Sequence, residues 1–304
     1  MMHYSVLKSE LIASLNICDG GIYVDATLGF AGDSAEILKN IPNGYLYAFD
    51  ADLEAIKYSD NYLKTIGSNY KLFNTNFKNM VNSLKDEAIE AVDGIIFDLG
   101  FSSPQVDDAK RGFSFMKDGP LDMRMSGKGV SAKDIINTYS EENLANIFFK
   151  YGEEKQSRVI AKKIKTNHQN ITTTLELVDV IKMAVGANYF YKHHPERKIF
   201  QALRIEVNDE LKVLEETLPE AIKILKPGGR LCVITFHSLE DRIVKNIFKK
   251  YSEVDEIVKG LVDIPEEYKP LIKLINKKPI VPTSKELEEN SRSASAKLRV
   301  VERI

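Results

Sequence analysis

Two stretches of the chain set acids, amides, hydroxyls and glycines where the edge of a sheet would present them to a ligand. The first, Asp25-Ala-Thr-Leu-Gly-Phe-Ala-Gly-Asp33, carries a Gly29-x-x-Gly32 turn between an apolar run and a helical one. Glycines at such a place let backbone approach a ligand beside a helix N-terminus. The second, Asp98-Leu-Gly-Phe-Ser-Ser-Pro-Gln105, follows the apolar run Ile95 to Phe97 and opens a polar loop that extends to Met125. A buried parallel strand that stops abruptly at an acid delivers polar groups to its carboxyl edge, where α/β enzymes bind ligands. Asp50 ends another apolar run, about 20 residues past the glycine turn, where an acid can accept hydrogen bonds from both hydroxyls of an adenosine ribose. Phe77, flanked by Asn74 and Asn76, follows a third run and could stack on an adenine. Taken singly, a strand-end acid is more often a turn or cap and a lone Phe more often core. The row of four along one edge favours a binding site.

The same residues exclude other chemistries. NAD and S-adenosylmethionine would both suit Asp50, but Gly-x-x-Gly lacks the three-glycine fingerprint of a pyrophosphate-bound dinucleotide, which disfavours a dehydrogenase. No His, Cys or carboxylate cluster has metal-ligand spacing, so no metal is expected, and Ser102 and Ser103 sit in no nucleophile elbow. His193-His194 before Pro195 reads as the end of a loop.

The elements that must position these groups alternate through the first half. Ile22 to Ala26, Tyr45 to Phe49, Tyr70 to Phe73 and Ile95 to Phe97 read as strands. Helices over Ser34 to Lys39, Leu53 to Lys64 and Val81 to Ala91 fill the gaps. Repeating βα units imply a parallel sheet with right-handed crossovers. From Ser131 to Arg204 only helical periodicity appears. There Thr173 and Glu176 have the spacing of a capping box, with Leu175, Val178, Ile181 and Val185 expected on its buried face. A helical stripe from Leu211 to Leu225 contains Pro219, expected to kink it or start a second helix. Lys226-Pro-Gly-Gly229 should stop that stripe, and Arg230 to Phe236 resumes the sheet. Residues 251–282 carry four prolines and no assignable element, and Lys297 to Ile304 reads as a closing edge strand. The expected organisation is therefore an α/β domain of residues 1–107 and 205–304, with an inserted helical domain over 108–204.

Charge is distributed unevenly. The chain has 304 residues and a formal charge of −2, yet residues 150–204 hold eleven Lys and Arg against five acids, a net +6. Such a segment suits a local polyanion contact, because cations that neutralise phosphates release condensed counterions; a solvated helical face is the alternative. Cys18 and Cys232, far apart and in apolar context, read as small core residues of a reducing compartment. No leader or membrane-spanning stretch is apparent, so a cytoplasmic protein is expected. The oligomeric state stays open, a homodimer being one option.

Several long motifs resemble the RsmH (MraW) methyltransferases of bacterial small-subunit ribosomal RNA. They are Asp98-Leu-Gly-Phe-Ser-Ser-Pro-Gln105, Arg111-Gly-Phe-Ser-Phe-Met116, Asp118-Gly-Pro-Leu-Asp-Met-Arg-Met125, Phe200-Gln-Ala-Leu-Arg-Ile-Glu-Val-Asn208, Leu225-Lys-Pro-Gly-Gly-Arg-Leu231 and Phe236-His-Ser-Leu-Glu-Asp-Arg-Ile-Val244. The opening His3 to Leu7 and the tail Ser293 to Arg299 are similar too. The resemblance implies a Rossmann-like, class I S-adenosylmethionine-dependent methyltransferase with an inserted helical domain. It further implies N4-methylation of a cytidine in the decoding (P-site) region of 16S rRNA, with 16S rRNA or the small ribosomal subunit as partner. Its cofactor positions fall on Ala31, Gly32, Asp33, Asp50, Phe77, Asp98 and Gln105. Where the family usually reads Gly-Gly-His, this chain has Ala31-Gly32-Asp33, with Phe30 for a small residue. Asp33 would pair with the cofactor's ammonium group, or mark an RNA-binding homologue with weakened catalysis.

In-line attack on a sulfonium methyl needs mainly alignment. The exocyclic N4 of cytosine is a poor nucleophile, and acceptors for its hydrogens would help it rehybridise. By position, Asp98, Ser102 and the Ser103 and Pro104 carbonyls are expected to supply them, with His237 either taking the proton or serving a structural role. The base must be flipped out or single-stranded, with Phe101, Phe113 or Phe115 as a stacking face and Asp122 to Arg124 around it.

Overall fold

The computed structural model describes residues 6–304 apart from 259 and 262, so His3 to Ser5 of the opening motif lie outside the described residues. The chain divides into two compact units. One comprises the chain up to Gly100 together with Leu211–Ile304, and the other is Phe101–Glu210, wider at both ends than the expected 108–204.

Strands β1 (Ile22–Asp25), β2 (Tyr45–Asp50), β3 (Tyr70–Asn74), β4 (Val92–Asp98), β5 (Leu225–Thr235), β6 (Ile272–Leu274) and β7 (Lys297–Arg303) form a single sheet in the first unit, in the order β3-β2-β1-β4-β5-β7-β6. The first five are parallel, and β7 runs antiparallel to both β5 and β6. Helices follow in chain order. The first unit holds α1 (Lys8–Leu15), α2 (Gly32–Asn40), α3 (Leu53–Leu63) and α4 (Met80–Asp86). The second holds α5 (Ser103–Asp107), α6 (Ala132–Thr138), α7 (Glu141–Gly152), α8 (Ser157–Asn167), α9 (Thr174–Val185), α10 (Ala187–His193) and α11 (Pro195–Asn208). Then come α12 (Glu210–Lys223), α13 (Ser238–Ser252) and α14 (Ser284–Glu289).

Alternation along β4 explains why the sheet is covered on both faces. Ile95 and Phe97 pack into one core with Leu214, Leu218 and Phe248 of α12 and α13, while Ile96 packs into another with Leu11, Ile37 and Leu38 of α1 and α2. Helices on both faces of a parallel sheet are the Rossmann-like arrangement, and its order reverses between β1 and β4, at a switch point where ligands bind.

Several expectations are corrected. The terminal strand β7 is not an edge; it lies between β5 and β6, and β6 occupies residues of the unassigned 251–282 stretch. Lys226 to Gly229 does not precede β5 but belongs to it, as an irregularity in register opposite Val92 to Gly94. Pro219 lies inside α12 without dividing it. Cys232 is buried in the sheet and its thiol is pushed up to about 12 by burial, whereas Cys18 is exposed and is not a core residue.

The helical unit has its own core, built from Leu144 and Phe148 of α7, Ile160 and Ile164 of α8, Leu177 and Ile181 of α9, and Ile199 and Leu203 of α11. The capping box of α9 is present as expected, but its buried residues are Thr174, Leu177, Val180 and Ile181, and Leu175 is exposed. The polar loop that extends to Met125 is packed into this unit, with Leu121 and Met123 fully buried.

Candidate active site

Asp25, Asp50, Asn74 and Asp98 end β1 to β4 at one edge of the sheet. The turn after β1 is fixed by its own acid. Asp25 is buried, its Oδ1 accepting from the Thr27 amide at 3.0 Å and its Oδ2 from the Ser34 hydroxyl at 2.7 Å. Thr27 Oγ1 in turn accepts from the Asp98 amide at 2.6 Å. Asp50 Oδ2 accepts from the Gly29 amide at 2.8 Å and Oδ1 from the Asp52 amide at 2.8 Å. A carboxylate has about four acceptor sites, so Asp50 can still receive ribose hydroxyls. Gly29 sits at φ +50°, and Ala31, also left-handed at φ +60°, is the residue before α2. Gly32 and Asp33 form the first turn of that helix, and Asp33 is buried. Phe77 meets Phe97 edge to face at 5.3 Å, so part of its ring is committed to the core.

Electrostatically the strand-end carboxyls of this edge are buried and raise one another. Burial pushes the Asp25 and Asp50 carboxyls up to about 7. Asp98 is raised well above the usual carboxylate range, first by burial and then by the charges of Asp33, Asp25 and Glu240. Asp98 as a residue keeps some exposure, but its Oδ1 is buried with no hydrogen-bond partner among the described residues. A pyrophosphate would be repelled here, whereas a sulfonium or ammonium group would relieve the repulsion. The residues therefore fit the cationic cofactor that the resemblance implies better than a dinucleotide.

The reading of the residues overlooked four of these contributors: Asp25, Thr27, Ser34 and Glu240. Asp25 was legible as another strand-end acid. Glu240 was legible from His237-Ser-Leu-Glu240, a capping-box spacing: Glu240 Oε2 accepts from the Phe236 amide at 2.8 Å, and His237 Nδ1 receives the Glu240 amide at 3.4 Å. His237 therefore caps α13, and its Nε2 lies 3.1 Å from Glu240 Oε1.

The remaining expected residues belong to the helical unit. Ser102 is the N-cap of α5, Ser103 its first residue, and Gln105 Oε1 accepts from the Ser102 amide at 3.0 Å. Gln105 is buried, so this pair also has a structural task. Phe113 is core, stacked on Phe101 at 6.0 Å, and Phe115 packs edge to face on Phe200. Phe101 is the exposed member of the three, at 42%. Asp122 and Arg124 bind each other through two short contacts, 3.0 and 2.6 Å, and shape the loop. Arg204, counted among the basic residues, is buried: it grips Glu210 in a fork at 2.8 and 2.9 Å and lies over Phe101. His193 and His194 end α10 ahead of Pro195, as expected.

Comparison with known proteins agrees with the reading of the motifs. The MraW methylase family model matches residues 1–304. Ribosomal RNA small subunit methyltransferase H of Limosilactobacillus fermentum is 48% identical over 308 residues, covering 99% of this chain and 98% of that one. Among solved structures, a Streptococcus thermophilus rRNA methylase aligns at TM-score 0.45 and 13% identity, over 100% of this chain and 99% of its own. A Streptococcus mutans protein in complex with SAH aligns at TM-score 0.46 and 12% identity, over 100% of both chains. Those two alignments add no weight; the match along the full length does. The chain belongs to the MraW methylase family.

Proposed function

We propose that this protein transfers the methyl group of S-adenosylmethionine to the exocyclic N4 of a cytidine in the decoding (P-site) region of bacterial 16S rRNA, in the cytoplasm. Membership of the methylase family and the 48% identical small-subunit rRNA methyltransferase support the reaction class and the substrate. No helix among the described residues is long and apolar enough to cross a membrane. The observation that carries the cofactor is Asp98, whose Oδ1 is buried with no hydrogen-bond partner among the described residues and whose carboxyl is raised by burial and then by the charges of Asp33, Asp25 and Glu240.

Bound there, the cofactor supplies an electrophilic methyl on a cationic sulfur. Ala31, Gly32, Asp33, Asp50, Phe77, Asp98 and Gln105 would hold it. Asp50 would accept from the ribose hydroxyls, Phe77 would flank the adenine, and a charged Asp33 would favour the ammonium group. Asp98, Ser102 and Ser103 would serve the target amine as acceptors for its hydrogens. The proton released from the amine would pass to one of these acceptors or to water. Excluding water from the buried carboxylates strengthens each of these interactions.

The test is nucleoside mapping of 16S rRNA from cells with and without the protein. N4-methylated cytidine should disappear from the decoding region in its absence and return with wild type. With the Asp98→Asn variant it should not return to more than a small fraction. Modification that persists unchanged without the protein would refute the assignment.

A further inference from the structure

The eleven basic residues of the +6 segment are not equivalent once folded. Arg204 is held by Glu210, Lys198 approaches the buried Glu154 at 3.3 Å, Lys165 binds the Ile136 and Asn137 carbonyls, and Lys182 meets the Tyr191 hydroxyl. Of the seven that remain, Arg158, Lys162 and Lys163 lie on one helix and Lys155 stands just ahead of it. Between Lys155 and Leu175 the chain has five cations and neither Asp nor Glu.

Helix α8 lies within that run. Ile160, Ala161 and Ile164 are buried in the helical core, which fixes the helix in rotation. Arg158 and Lys162 are consequently exposed on the outer face, one turn or about 6 Å apart along the axis. Lys155 is exposed just ahead of the helix, and Thr166 continues the face a turn further. On other helices several lysines have an acid one turn away: Lys39 with Glu36, Lys64 with Asp60, Lys223 with Glu220, Lys249 with Glu253. Helix α8 carries no acid, and like charges at i and i+4 destabilise a helix in isolation. A stripe of this kind is relieved by a repeating anion.

The geometry points to the outer face of α8, centred on Arg158 and Lys162 with Lys155 beside them, as the surface that takes the sugar-phosphate backbone of the RNA. The inference rests on the proposed rRNA reading and adds to it a place on the protein. A phosphate backbone suits this face better than a protein partner does, since protein interfaces are depleted in Lys and anchored by buried aromatic groups. The only large apolar side chain on the exposed side of α8 is Val159, among the described residues.

The experiment measures binding of an RNA fragment spanning the decoding region, by fluorescence anisotropy across a salt series. It compares wild type, Arg158→Glu/Lys162→Glu and the neutral Arg158→Gln/Lys162→Gln. A control with the same charge change, Lys249→Glu/Lys250→Glu, lies on α13. Each single-strand phosphate contact contributes about 0.7 to the slope of log affinity against log salt, so the neutral pair should lower the slope by about 1.4. Both α8 variants should weaken binding at least tenfold while their thermal melts and S-adenosylmethionine affinity stay unchanged. Equal slopes in wild type and the α8 variants would overturn the inference, as would an equal loss in the α13 control. So would α8 variants that bind RNA normally but lose binding to polyglutamate, which would assign the face to an acidic protein. If wild-type protein leaves decoding-region RNA unmethylated but binds it through α8, the surface stands and the substrate assignment fails.

Discussion

The Asp98 amide donates to the Thr27 hydroxyl oxygen across 2.6 Å, which fastens the end of β4 to the turn that follows β1. Asp25 holds the same Thr27 by its amide, so one threonine couples two strand ends of the acidic edge. Thr27→Val keeps the shape and removes the acceptor, leaving the amide unsatisfied at a cost of about 1–3 kcal/mol. We expect a melting temperature lower by several degrees and weaker S-adenosylmethionine binding by calorimetry, with Thr27→Ser restoring both. A Thr27→Val protein with wild-type affinity would show that the link does not position Asp98.

The raised carboxyls make stability depend on pH in an unusual direction. Asp25 and Asp50 titrate at about 7 in the folded chain against about 3.9 unfolded, so the native state binds more protons between those values. Stability therefore falls as pH rises from about 4 to 7, and the raised Asp98 carboxyl adds to the decline. Glu154, Asp122 and Asp241 have lowered values, so their contribution is present above the unfolded pKa and is lost on acidification. The ligand-free protein should melt at a lower temperature at pH 8 than at pH 5.5, and Asp25→Asn should flatten that decline. Saturating S-adenosylmethionine should reduce it as well. A wild-type melting temperature that rises over this range would contradict the burial of these charges.

What the sequence made legible followed from short-range rules. The strand-end acids Asp50 and Asp98 stand out because an apolar run stops at each, and the α9 cap stands out because Thr173 and Glu176 are three residues apart. Partners distant in the chain did not stand out. Thr27 and Asp98 are 71 residues apart, and nothing local marks Thr27 as an acceptor. The loop from Phe101 was legible as folded but not as part of a core, because Phe113, Leu121 and Met123 obey no helical or strand period. Terminal strand β7 reads as an edge by alternation alone. Only the short β6 beside it, which no pattern announced, makes it internal.

Arg204 separates structural from RNA-binding charge. Its fork on Glu210 and its position 4.6 Å from the Phe101 ring centre both depend on a planar guanidinium. Arg204→Lys keeps the charge and loses the fork, so we expect a loss of about 1–3 kcal/mol in the stability of the helical unit. The salt slope of RNA binding should stay at its wild-type value. A reduced slope with unchanged stability would return Arg204 to the RNA surface.

Glycine 112 tests how tightly the Phe101-to-Met125 segment is built. It sits at φ +71°, and a Cβ there would lie 2.2 Å from the Pro120 carbonyl oxygen and 2.7 Å from the Asp122 nitrogen, both backbone atoms unable to swing aside. Gly127 shares the left-handed conformation, at φ +68°, but has open space where a Cβ would go. Gly127→Ala should therefore cost only the conformational penalty, roughly 1–2 kcal/mol. Gly112→Ala adds an overpacking cost of about 1–3 kcal/mol and pushes the Asp122 backbone away from Arg111, whose carbonyl holds the Met123 amide at 3.0 Å. Denaturant unfolding of the two variants should show Gly112→Ala as the more destabilised. If the losses are equal, backbone conformation rather than contact with Pro120 governs the segment, and the loop has room to move around a bound base.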